Sequence, residues 1–146
     1  MSRRVIVTNA HRRFRIKRTQ VGRYVRHVLR CEGKSDALIS VVFVDSRFIR
    51  TLHRMYLGRD RVTDVISFPL EHRARLEGEI YVNLNRARDQ AHRFHVSFEN
   101  EVARLVIHGT LHLMGYDDRD SRKAAKMKTQ EDRHVGFWFS KDRGKG

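Results

Sequence analysis

Few of the residues that staple or punctuate a fold occur in this chain. It holds one cysteine, Cys31, and one proline, Pro69, in 146 residues. A lone thiol excludes an intramolecular disulfide and, taken by itself, a cysteine-based zinc site; it also argues against a disulfide-linked partner. No Gly/Ser-rich linker and no internal repeat breaks the sequence, so 1–146 reads as a single domain, long enough to bury ~68–70% of its surface. Long apolar runs are missing as well. None approaches the ~18 residues of a membrane span. The basic start, MSRRVIVTNAHRRF, encloses only VIV, far too short for a signal peptide. A cytoplasmic protein without a membrane partner is the expectation. Acidic side chains are also scarce: 17 Asp and Glu stand against 31 Lys and Arg, a net charge of +14. That excess favours a polyanionic partner. The basic residues are spread through HRRFRIKR, GRDR and DSRKAAKMK rather than collected in one tail. Each run alone is an ordinary solvated face; together they point toward RNA or DNA.

Hydrophobic periodicity then places the elements. VIVTN at 5–9 predicts a first strand. Val21, Tyr24, Val25, Val28 and Leu29 follow helical spacing, with Gly33 as a stop. ALISVVFV at 37–44 is apolar on both faces, as an interior strand is. Asp45 or Ser46 can cap a helix over 47–56 that Gly58 ends. VISF at 65–68 and EIYVN at 79–83 read as two further strands. Helices follow over about 85–94, 98–114 with Ser97 as a possible N-cap, and 121–136. Apolar residues surround the 98–114 helix, from Val102 and Ala103 to Leu113 and Met114, so it is expected to be central and buried. The order βαβαββααα predicts an α+β fold, a small mixed four-stranded sheet packed with about five helices.

The central helix ends in HGTLHLMGYDD, residues 108–118. His108 and His112, four apart, share a helical face and can present two imidazoles to one ion. Nine histidines in a chain of this length give about half such a pair by chance, so spacing alone does not separate a metal site from two core histidines. Burial adds weight, because neighbouring imidazoles in a core need a partner to offset desolvation. Gly115 is placed to turn the chain back and bring Tyr116, Asp117 and Asp118 to the helix end, where a carboxylate supplies a third zinc ligand. Three protein ligands leave a fourth position open, as in catalytic sites. The peptidase motif H-E-x-x-H carries its glutamate base directly after the first histidine. Here that residue is Gly109, so a zinc peptidase is disfavoured and the positive charge points to a phosphodiester.

HGTLHLMGYDD resembles the signature of the YbeY endoribonucleases, where an HGxLHLxGYDH segment carries three histidine ligands. Further similar segments follow in the family's order: TDVISFP at 63–69, GEI at 78–80 in place of GDI, and Met127 followed by Glu131. The resemblance covers about residues 52–131. It implies one zinc ion per chain on His108, His112 and Asp118. It also implies single-strand-specific RNA cleavage, 3′-end maturation of small-subunit (16S) ribosomal RNA, ribosome quality control, and ribosomal RNA and the small ribosomal subunit as partners. The chain departs from the pattern twice. Asp118 replaces a histidine, a normal zinc ligand whose negative charge makes the ion a weaker Lewis acid. Leu57 stands where the family has an arginine tied to activity, which leaves Arg59 and Arg61 in GRDR as candidate phosphate contacts.

Other candidates weigh less. His92 and His95 lack a third ligand and read as surface residues. Phe137, Trp138 and Phe139 suit core packing better than base stacking. Asp64 and Ser67 are candidates to line a cleft, though a plain turn residue and a plain strand residue explain them as well. Metal-assisted phosphodiester cleavage, with the general base unassigned, competes with a non-catalytic ribosome-associated RNA-binding protein braced by a structural metal.

Overall fold

The computed structural model describes residues 2–58, 60–72 and 74–143, with side chains as far as Phe139. Nine elements follow in the expected order: β1 (Arg3–Asn9), α1 (Arg18–Cys31), β2 (Ala37–Val44), α2 (Ser46–Leu57), β3 (Val65–Leu70), β4 (Leu76–Asn83), α3 (Leu84–Phe94), α4 (Phe98–Leu113) and α5 (Ser121–Arg143). The sheet order is β1-β2-β4-β3. The first three of these are parallel and β3 is antiparallel at one edge. The sheet is therefore mixed and the class α+β.

Alternation along the strands divides the core in two. Ile39, Val41 and Phe43 of β2 and Ile80 and Val82 of β4 face one side, where α1 and α4 supply Val25, Val28, Leu29, Val106, Ile107 and Leu111. The other face carries a smaller cluster in which Ile49 and Leu52 of α2 meet Val44 and Ile66, with Tyr81 beside them. β2 lies inside the sheet, as its two apolar faces require. Pro69 sits within β3, paired with Gly78. An edge strand tolerates it, because the missing N–H costs no bond on an unpaired side.

Local chemistry sets most boundaries. Asp45, rather than Ser46, caps α2 by accepting the Phe48 N–H at 2.9 Å. Gly58 closes that helix in the left-handed conformation, φ 64°. Asn83 caps α3 by accepting from the N–H groups of Asn85 and Arg86. One expectation needs correction. The last helix runs on to Arg143 across a kink at Phe139, because Val135, Trp138 and Phe139 pack on the main core and extend the helix past its apolar pattern. α3 ends at Phe94, as its pattern predicts, and His95 terminates it with φ 55°. Both His95 and His92 are exposed.

Candidate functional site

α4 is built as a buried rod with one polar edge. Ser97 caps it by accepting the Asn100 N–H at 3.0 Å, and Glu99 and Glu101 lie in the first turn, where the helix dipole favours acids. Val102, Ala103, Leu105, Val106, Ile107, Gly109, Thr110, Leu111 and Leu113 are buried. His108 is half-buried and His112 exposed, so the histidine edge is the one that leaves the core. Gly109 lies against β4 and β3. A Cβ there would fall 2.6 Å from Ile80 Cγ2 and 3.0 Å from Ser67 Oγ, and Ser67 donates to the Gly109 carbonyl at 3.0 Å. No side chain fits at the position where a peptidase carries its glutamate. Ser67 thus fastens the helix to the sheet rather than lining a cleft.

At the other end Gly115 adopts φ 101°, which a residue with a Cβ rarely takes. The Tyr116 N–H reaches back to the Leu111 carbonyl at 3.2 Å, a helix-ending bond of the glycine type. This reversal separates the two aspartates. Asp118 lines the same cleft as His108. Asp117 faces a different groove, held by the Arg119 guanidinium at 2.9 Å and the Arg119 N–H at 3.1 Å.

The cleft beside α4 draws on five segments: Asp64 at the start of β3, Gln90 of α3, Glu101, Arg104 and His108 of α4, Asp118, and Lys128 and Glu131 of α5. Glu131 is its electrostatic centre. Its Oε1 lies 2.6 Å from His108 Nδ1, and its Oε2 accepts from Arg104 at 2.6 Å. Arg104 also binds Asp132 at 2.8 Å. Burial disfavours charge on both His108 and Glu131, but their mutual attraction outweighs it. The imidazole pKa is raised and the carboxyl pKa lowered, with Arg104 adding to the latter. With Nδ1 donating to Glu131, His108 has Nε2 left for an ion, the usual arrangement behind a metal-bound imidazole. Glu101 is 2% exposed. Burial pushes its carboxyl up to about 7, Arg104 opposing and Asp64 reinforcing the shift.

The family described as Endoribonuclease YbeY matches residues 6–138. An Endoribonuclease YbeY of Chlorobium phaeobacteroides is 39% identical over 120 residues, 82% of this chain and 87% of that one. One of Salinibacter ruber is 40% identical over 123 residues, 77% and 78% of the two chains. The chain belongs to the YbeY endoribonuclease family. Among solved structures, that of TM1509 from Thermotoga maritima is similar with a TM-score of 0.60 and 28% identity, covering 94% of this chain and 93% of the other.

The YbeY signature segment thus contributes to the cleft unevenly. His108 and Asp118 line it, while His112 lies a turn further on, its ring centroid 6.3 Å from that of His108. Among the described residues, His108, His112 and Asp118 are not a group drawn tightly together. The group whose ligand atoms all lie within 4.8 Å of one another is His27, Cys31 and His134. One cysteine therefore does not exclude a mixed cysteine–histidine site, which corrects the reading from cysteine count alone. Arg59 lies outside the described residues. Arg61 is exposed, on a loop pinned to α2 by Asp60, which accepts from Arg50 at 2.6 Å and from Arg54 at 3.2 Å. Leu57, at the family's arginine position, is also exposed.

Sequence reasoning missed Glu101, Arg104 and Lys128. Arg104 precedes His108 and His112 at four-residue intervals, so its place on the same edge was readable from spacing. Glu131 entered only through its likeness to the family, and its bond to His108 depends on how α5 crosses α4.

Proposed function

We propose that this protein is a zinc-dependent, single-strand-specific endoribonuclease, a single domain over 1–146. It matures the 3′ end of 16S ribosomal RNA and serves ribosome quality control on the small subunit in the cytoplasm. Membership of a family whose relatives are named endoribonuclease makes RNA hydrolysis the reaction class. The observation that carries the reading is the cleft itself: the reversal at Gly115 sets Asp118 across from His108, with Glu131 behind the imidazole and Lys128 at the rim. No helix among the described residues is long and apolar enough to cross a membrane.

The donor set suits the metal. Two imidazoles and a carboxylate with a position left open are the ligands of catalytic zinc sites. His112 and Asp118 are exposed, so packing does not lock their rotamers and both side chains can swing toward His108. Bound by these three residues, zinc would supply a Lewis acid for a phosphoryl oxygen of the scissile bond. Glu131 holds the His108 ring through Nδ1, and Arg104 holds Glu131. Glu101, with its pKa near 7, can take and return a proton at neutral pH. Lys128, with a mostly exposed side chain, is a phosphate contact at the rim, and Arg59 and Arg61 remain candidates for RNA further out. A non-catalytic RNA-binding protein with a structural metal is not favoured, since such a protein has no use for an open ligand position and an acid–base group in one cleft.

Cleavage of single-stranded RNA by the wild type and by His112→Ala, purified in parallel, tests the reading. The variant is expected to lose metal-dependent turnover while still binding RNA. Equal cleavage by both would overturn the assignment.

A further inference from the structure

We propose that His27, Cys31 and His134 form a second metal centre, in a pocket separate from the cleft, for zinc or an ion of similar softness. α1 carries His27 and Cys31 one turn apart on one face, and α5 lays His134 against them. The ligand atoms all lie within 4.8 Å of one another. Cys31 Sγ is 3.7 Å from His27 Nε2 and 3.8 Å from its Nδ1. In tetrahedral zinc, a Zn–S bond of ~2.3 Å and a Zn–N bond of ~2.0–2.1 Å set the S···N edge at about 3.5 Å. The sulfur stands close to that separation from His27, but its near-equal distances to the two ring nitrogens set it off both lone-pair axes, so binding requires the His27 ring to turn as well as adjustment at His134.

The pocket around the group holds one acid, Glu32, together with Arg133. His134 is 3% exposed, and its Nε2 lies 3.3 Å from Oε2 of Glu32. Glu32 is itself fixed by the Tyr116 hydroxyl at 2.7 Å and by Gln130 at 3.4 Å. A held carboxylate beside a ligating imidazole orients the ring and adds negative charge. The His27 ring packs on Phe137 with centroids 4.1 Å apart. Cys31 is exposed, so an ion has a path in. On binding, the thiol proton leaves to solvent and the thiolate takes the metal, so affinity rises with pH. The sulfur makes this centre softer than the nitrogen and oxygen set on α4, and it joins α1 to the helix that carries Glu131.

The test is a cobalt(II) titration of the full chain in a His108→Ala/His112→Ala background, which removes the α4 ligands. A thiolate-to-cobalt charge-transfer absorption is expected to saturate at one ion per chain in a monomer by sedimentation, and to vanish in Cys31→Ser. His134→Gln risks the fold because that ring is buried. His27→Ala, at a half-buried position, is the second variant, and it is expected to weaken binding by about tenfold or more. Absence of the band overturns the proposal. So does unchanged affinity in His27→Ala, or saturation at one ion per two chains in a dimer bridged through Cys31. Each result is independent of RNA cleavage by the wild type and His112→Ala, so failure of this centre and failure of the nuclease reading are told apart.

Discussion

Asp118 and Asp117 are neighbours of identical chemistry with opposite surroundings. The Arg119 guanidinium and its backbone N–H lower the Asp117 carboxyl pKa, and Asp117 lines a different groove from His108. Asp118 shares the cleft with His108. In a Cys31→Ser background, which silences the second centre, elemental analysis is expected to find one zinc per chain. Asp118→Ala should lose it and Asp117→Ala should keep it, because two imidazoles alone hold zinc weakly. The reverse result would move the ligand by one residue. Glu101 makes a different prediction. Its carboxyl rises from the ordinary 4.5 to about 7, so between those values the folded chain keeps a proton that the unfolded chain has released. Stability must therefore fall as pH rises through this window, by about 3 kcal/mol for this group. Glu101→Gln removes that slope. Urea denaturation of metal-free protein should show the variant gaining on the wild type between pH 4.5 and pH 8, and parallel curves would contradict the burial argument.

Packing of α4 on the sheet depends on two glycines that meet different neighbours. A Cβ at Gly78 would fall 2.6 Å from both Cδ atoms of Leu113, the far end of a side chain that can turn aside. A Cβ at Gly109 would strike Ile80 Cγ2, which branches next to the strand backbone and has nowhere to go. Gly109→Ala is expected to be the costlier substitution. It should destabilise by roughly 1–3 kcal/mol even after the ~1 kcal/mol that alanine gains in a helix. It should also weaken zinc, since lifting α4 from β4 moves both histidines. Thermal melts of the two variants, with zinc affinity measured alongside, would show whether helix and sheet approach as closely as these distances require.

Taken whole, the molecule is a strongly basic body with an acidic heart. Glu101, Glu131, Asp64 and Asp118 converge on the cleft, while the +14 balance is spread along loops and exposed helix faces. Such a distribution draws a polyanion to the surface and reserves the interior of the cleft for cations. Affinity for single-stranded RNA should fall steeply with salt, log K against log[salt] having a slope of roughly −0.7 for each phosphate neutralised. A flat salt response would mean that the charge serves something other than RNA. Lys128→Ala should lower the slope by about one such increment and leave zinc content unchanged.

The sequence by itself determined what local geometry can carry. The order of nine elements, the interior position of β2, the cap at Ser97, the stop at Gly58 and the buried course of α4 all follow from spacing and backbone preference. These act within a few residues and were readable before any fold was known. The two histidines of α4 were readable for the same reason. Only the tertiary structure decided which side chains meet across elements. It set Glu131 on His108, sent Asp118 and Asp117 to opposite sides, filled the space at Gly109, and brought His134 to His27 and Cys31. Those meetings depend on where α5 crosses α4 and α1 and on the path of the chain after Gly115. The apolar core fixes that crossing by its shape, and no short-range pattern in the sequence records it.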